Sequence, residues 1–191
     1  MENLARKRMS IQEYFSLEET SQEKYEFYHG EIFAMSEVSR IHNLIVGNLL
    51  FLFKNQFKNK DCEIYSNDMR VQISEENHYT YPDLTIVCGK RTFPDKKETT
   101  LVNPTVIIEV LSNSTESYDR GKKFQAYRSI QSLQTYILVS TNYKQIEVFK
   151  KTEDNLWTLS EPDADGNLSI PFPNCTLTVN EVYNGIDLNE E

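Results

Sequence analysis

No stretch of this 191-residue chain is apolar for long enough to cross a bilayer; its longest apolar runs reach only about half of the roughly 20 residues required. The N-terminus, Met1 to Met9, is basic but lacks the apolar core of a signal peptide, so a cytoplasmic location is expected. Cysteine is scarce. Cys62, Cys88 and Cys175 are isolated, odd in number and free of any CxxC pairing, which argues against both a disulfide framework and a zinc site. The histidines His29, His42 and His78 are equally scattered. A metal would therefore be held by oxygen, the preference of magnesium or manganese. Basic residues are also in deficit: 20 Lys and Arg against 29 Asp and Glu give a net charge of −9. That excludes a protein that coats nucleic acid through general phosphate neutralisation, while leaving room for locally concentrated positive charge. Two such local groups exist, Lys90-Arg91 with Lys96-Lys97, and Arg120 with Lys122, Lys123 and Arg128. The first reads as a solvated face, with nucleic-acid guidance as its alternative. Internal repeats and low-complexity tracts are absent.

What is present suffices for a core. Hydrophobic residues make up 39% and aromatics 12%, and the length suits a single domain spanning 1–191. Residues 10–30 read as a helical region, opened by a Ser10–Glu13 capping box and closed by a turn at Gly30. A short strand follows over 31–35. Ile41, Leu44, Ile45, Leu49, Leu52 and Phe53 recur at helical spacing and predict a long helix over about 40–57. Strands are predicted over 63–66, 69–73, 79–88 and 105–111, with a polar turn at Glu75-Glu76-Asn77 and a polar loop over 90–103. A second helix over about 118–130 precedes strands at 135–140, 145–150, 156–159 and 168–170. Trp157, Tyr143 and Phe149 should pack a peripheral sheet face. Asp163-Ala164-Asp165-Gly166 is a turn, because the ligand spacing and flanking helices of an EF-hand are missing. The order implies an α/β (α+β) fold with a central mixed β-sheet flanked by helices.

Two acids fall in segments that read as buried strand: Asp83, after Pro82, and Glu109, inside Val106-Ile107-Ile108-Glu109-Val110-Leu111. A carboxylate there is costly unless paired, hydrogen-bonded or metal-bound. Two on successive strands could converge on one magnesium ion, manganese being its natural substitute, with the Val110 carbonyl as a third oxygen. In the competing assignment Asp83 caps a turn and Glu109 pairs with a buried base. The spacing resembles a PD-(D/E)xK nuclease signature with Leu111 where the lysine belongs. Asp119, Lys123 and Tyr127, at successive i, i+4 positions, share one face of the next helix. Lys123 can therefore deliver its ammonium inward, while Lys122 points to solvent. Taken alone, Asp119–Lys123 would be an ordinary surface pair. His42 could face the metal site or simply make a structural hydrogen bond. Ser112 could bind phosphate or cap the bend after the strand. Glu26 and Glu31 could add a carboxylate from the helical layer, but ordinary surface roles are assigned to them.

Glu26-Phe27-Tyr28-His29-Gly30-Glu31, His42, Tyr81-Pro82-Asp83, Pro104, Glu109-Val110-Leu111-Ser112, Asp119-Arg120-Gly121-Lys122-Lys123-Phe124, Tyr127 and Tyr136-Ile137-Leu138-Val139 together resemble the Uma2 family. The resemblance covers roughly residues 10–187; Asn113 departs from it, standing where a proline is common. It implies a restriction-endonuclease-like core with additional strands and a catalytic set of Asp83, Glu109 and Lys123, the lysine having moved onto the helix. It further implies a metal-dependent endonuclease with DNA as substrate. A homodimer would suit cutting of both strands of a duplex. The alternative is a non-catalytic module that binds a protein or nucleic-acid partner.

Overall fold

The computed structural model describes residues 8–35, 37–74 and 78–188. The expected turn at Glu75-Glu76-Asn77 and most of the basic N-terminus lie outside them. Helix α1 (Ile11–Thr20) starts as the sequence demands. The Ser10 hydroxyl accepts the Glu13 N–H, and the Glu13 carboxylate accepts the Ser10 N–H at 2.8 Å. It then stops at Thr20. Residues 21–30 are not helical, because Tyr25-Glu26-Phe27-Tyr28 pairs as strand β1 (Tyr25–Tyr28) with β2 (Glu31–Ala34). His29 and Gly30, with φ of 48° and 90°, make the left-handed two-residue turn that such a hairpin requires. A Cβ at Gly30 would also lie 2.7 Å from the Arg8 Cβ.

Helix α2 (Arg40–Gln56), capped by Ser39, is followed by β3 (Cys62–Ser66), β4 (Arg70–Ser74), β5 (His78–Thr80) and β6 (Leu84–Cys88). The single strand expected over 79–88 is thus two, broken at Tyr81-Pro82-Asp83. Pro82 has no N–H to continue a ladder, so the chain leaves one sheet there and enters another. The remaining strands are β7 (Thr100–Leu101), β8 (Val106–Leu111), β9 (Thr135–Ser140), β10 (Ile146–Lys151), β11 (Trp157–Ser160), β12 (Asn167–Ile170) and β13 (Cys175–Thr178). Between β8 and β9 runs a helix in three pieces: α3 (Glu116–Tyr118), a π-helical segment (Asp119–Lys123) and α4 (Phe124–Tyr127). A last turn, α5 (Val179–Val182), closes the fold.

The central sheet has the order β11-β10-β9-β8-β6-β3 and is mixed, with β8 and β9 parallel. A second sheet, β2-β1-β5-β4-β7, and the β12-β13 hairpin complete the mixed α/β architecture. Strand β8 is buried throughout, and its alternation decides what faces what. Val106, Ile108 and Val110 meet Ile45, Leu49 and Phe53 of α2. Ile107 and Leu111 meet Tyr127, Ile130 and Leu133 on the other side. Glu109 shares that second side. Phe124 packs against Phe149 and edge-on against Trp157, as expected of a peripheral face, but Tyr143 is half exposed and takes no part. The Asp163 carboxylate accepts the N–H groups of Asp165 and Asn167, so this segment is a turn whose acid is already engaged.

A disulfide joins Cys62 and Cys88, correcting the expectation of three free thiols. The two lie 26 residues apart and meet only because β3 and β6 pair in a register that sets them directly opposite. No spacing rule reveals that. Among the described residues no helix is long and apolar enough to cross a membrane.

His78 is buried on β5, and its Nε2 has no partner among the described residues. Burial, with His29 and Lys123 nearby, lowers its pKa from 6.5 to about 4. Between those values the unfolded chain takes up a proton that the folded one refuses. The stability involved is full above pH 6.5 and lost as pH falls toward 4, about 3 kcal/mol across the window. His78→Asn should therefore gain about 3 kcal/mol relative to wild type between pH 7 and pH 4 in urea titrations.

Candidate active site

The Pro82 break places Asp83 at the mouth of β6, where the pairing Leu84↔Ile108 sets position 83 across from position 109. Asp83 Oδ2 accepts the Val110 N–H at 2.7 Å and lies 3.1 Å from His42 Nε2. The Asp83 N–H points at Glu109 Oε2, 3.4 Å away. Tyr81 steadies this segment, its hydroxyl bonded to Glu18 and accepting from Arg70 at 3.3 Å. The two acids, carried on adjoining strands, are therefore side by side. Val110 reaches Asp83 through its N–H.

The helix supplies the cation. Lys123 Nζ sits 2.9 Å from Glu109 Oε1, 2.9 Å from Glu26 Oε1 and 3.6 Å from Asp119 Oδ1, with 7% of its side chain exposed. Lys122 is exposed. The sequence implied an unbroken α-helix here; the wider π turn over Asp119–Lys123 replaces it. Such turns concentrate at functional sites. It is held from below, where the Tyr136 hydroxyl donates to the Asp119 carbonyl and Phe124 stacks on the Tyr136 ring. Tyr127 is fully buried, and its hydroxyl donates to Glu109 Oε1 at 2.9 Å. It supports the carboxylate and is not among the residues that line the cavity.

Glu26 is the residue that sequence reasoning ranked too low. Assigned to the surface as one more helical acid, it stands on β1, where alternation sends it away from buried Phe27 and toward Lys123. The left-handed His-Gly turn between two apolar-aromatic tetrads was the available signal. Ser112 bonds to the hydroxyls of Ser114 and Thr115 and accepts the Thr115 N–H, so its side chain caps the bend. His42 Nδ1 is buried without a partner among the described residues. Part of the basic groups is engaged by acids of the chain: Arg91 pairs with Asp61 and Glu63, Lys97 with Glu19, and Arg120 with Glu116 and Glu147.

Three carboxylates, Glu26, Glu109 and Asp119, thus surround one ammonium, and Asp83 lies beside Glu109, in a cavity of about 390 Å³. Burial raises the Glu109 pKa well above the carboxylate range; Lys123 opposes that shift, while Asp119, Asp83 and Glu26 reinforce it. Asp119 is raised by the same causes. Burial works against the Lys123 charge, but Glu109, Glu26 and Asp119 outweigh it and hold the pKa above that of an ordinary lysine. Lys123 is therefore a permanent cation and hydrogen-bond donor, unsuited to act as a base. Among the described residues no three His, Cys, Asp or Glu side chains form a ready metal cage. Asp83 and Glu109 nonetheless offer hard oxygen donors facing the cavity, the chemistry that suits magnesium when water and a main-chain oxygen complete the shell.

Residues 11–180 match the model of the Uma2 family, described as "Putative restriction endonuclease". The chain belongs to the Uma2 family. Two uncharacterized proteins of Synechocystis sp. are similar along most of their length. One, slr1290, is 36% identical over 180 residues, covering 94% of this chain and 93% of its own. The other, sll1609, is 36% identical over 153 residues, covering 80% and 86%. A crystal structure from Anabaena variabilis, of "a putative nuclease belonging to DUF820", superposes with a TM-score of 0.69. It covers 83% of this chain and 89% of that one, and at 15% identity it establishes that this Uma2 chain shares that protein's fold.

Removing the cation should expose the cost of the acids around it. Lys123→Met is expected to lose about 3 kcal/mol or more in chemical denaturation, and Glu109→Gln in that background to recover part of the loss.

Proposed function

We propose that this Uma2 protein is a magnesium-dependent nuclease that hydrolyses phosphodiester bonds, with DNA as substrate and manganese able to replace magnesium. The observation that carries the reading is the convergence of Lys123 Nζ on Glu109 beside Asp83 at the floor of an open cavity. Asp83 and Glu109, with the Val110 carbonyl, would hold the metal. When bound, that ion would polarise the phosphate and make a water more acidic.

The chain's own residues supply the rest. Lys123, permanently charged, donates to the phosphate and offsets the charge that develops on it. Glu26 and Asp119 fix the ammonium, because three carboxylate contacts leave its long stem few rotamers. Tyr127 holds Glu109 from behind and His42 holds Asp83 from the side. Ser112 shapes the bend at the cavity wall.

One observation favours a second reading, a non-catalytic module that binds a partner. Three of the basic side chains that a nuclease could lend to a phosphate backbone, Arg91, Lys97 and Arg120, are paired with acids of the same chain. Cleavage assays separate the two. With magnesium or manganese, wild type should cut nucleic acid, Asp83→Ala should fall at least a hundredfold, and Lys122→Ala should match wild type. Lys123→Gln, assayed below its unfolding temperature, should resemble Asp83→Ala. No metal-dependent cleavage of any strand, with the wild type folded, would leave the binding module standing.

A further inference from the structure

The walls of the cavity differ from its floor. Phe33 and Val38 are 49% and 44% exposed, and with Met35 and Tyr118 they line the same cavity as the acids. Phe33 stands on β2, the edge strand of its sheet, and its hairpin partner is Glu26. One two-strand unit thus carries both an exposed aromatic wall and the carboxylate that fixes Lys123. Nothing in the core demands an exposed phenylalanine there. The charge around it is equally one-sided. Glu26, Glu37, Asp83, Glu109 and Asp119 line the cavity, and among the described residues only Lys123 and His42 carry basic groups into it. Lys123 is already matched by carboxylates. A duplex is held chiefly by cations along its backbone, which this surface does not offer. Stacking of an unpaired base on an aromatic side chain adds about 1–3 kcal/mol, a gain that a base already stacked within a duplex does not have. The volume, about 390 Å³, falls in the range that takes one small molecule.

We propose that the cleft receives an unpaired nucleotide, its base laid against the wall of Phe33, Met35 and Val38 and its phosphodiester turned toward Lys123. The substrate is then a single strand, or a nucleotide extruded from a duplex at a mismatch or end. This rests on the nuclease reading for the phosphodiester but not for the base. Every base has a π-face, so the wall favours unpaired nucleotides without selecting a sequence.

The test is equilibrium binding with calcium in place of magnesium, using a short DNA single strand carrying 2-aminopurine, its duplex, and an RNA strand of the same sequence. The single strand should bind at least tenfold more tightly than the duplex, with a change in 2-aminopurine fluorescence. Phe33→Ala should weaken single-strand binding about tenfold and leave duplex binding unchanged. Phe33→Trp should restore it, which separates stacking from damage to the hairpin. The DNA and RNA arms identify which strand supplies the nucleotide. Equal affinity for duplex and single strand, no measurable single-strand binding, or no effect of Phe33→Ala overturns the proposal. Cleavage with magnesium, run in parallel, keeps the readings apart. Stacking without cleavage sinks the nuclease reading alone, whereas duplex cleavage indifferent to Phe33 sinks this proposal alone.

Discussion

The buried contact between Lys123 and Glu109 is the constraint on which the site depends. Glu109 occupies the middle of a strand buried on both faces, where an unpaired carboxylate would cost several kcal/mol. It is tolerated because an ammonium and a tyrosine hydroxyl both reach Oε1. Those two groups come from one helix, and a π turn brings the lysine around to face the strand. The turn in turn rests on Tyr136 of β9, the parallel neighbour of β8. Strand, helix and strand are thus tied through a single pair of charges. At position 111, where a nuclease of this signature carries its lysine, Leu111 packs instead among Tyr127 and Leu138.

Three acids around one ammonium, with Asp83 close by, are poorly balanced for stability alone. Burial raises the pKa values of Glu109 and Asp119, a sign that full ionisation is resisted. A purely structural pair would need one acid, and extra carboxylates at the floor of an open cavity are characteristic of sites that work on a ligand. Asp83 is the least enclosed of the set, with 13% of its side chain exposed, and it faces the cavity beside Glu109. Among the described residues that line the cavity, only Lys123 and His42 carry basic groups. Positive charge at the site must then come from Lys123 and from whatever cation the carboxylates attract.

Much of this could be read from the sequence, and the failures have physical causes. Helix α2 and strand β9 fall where the periodicity placed them, because an amphipathic stripe and an unbroken apolar run are strong local signals. The placement of Asp83, Glu109 and Lys123 side by side follows from strand order and a helix face. What escaped is non-local or irregular. The Cys62–Cys88 bridge exists only through the register of β3 and β6. Strand β5 parts from β6 at Pro82 because the chain changes sheets, a decision taken by distant partners. The π turn has no composition of its own. Glu26 was hidden by the misreading of residues 21–30 as helix, which gave that acid the wrong face.

The central claim is that Asp83 and Glu109 form a divalent-cation site and are not merely the counterweights of Lys123. Thermal unfolding with and without manganese tests it most directly, since it needs no substrate. Manganese at a hundredfold excess over its Kd should stabilise wild type by about 2.7 kcal/mol and should leave Asp83→Asn unmoved. Equal shifts in both proteins, or none in wild type at millimolar manganese, would contradict the account.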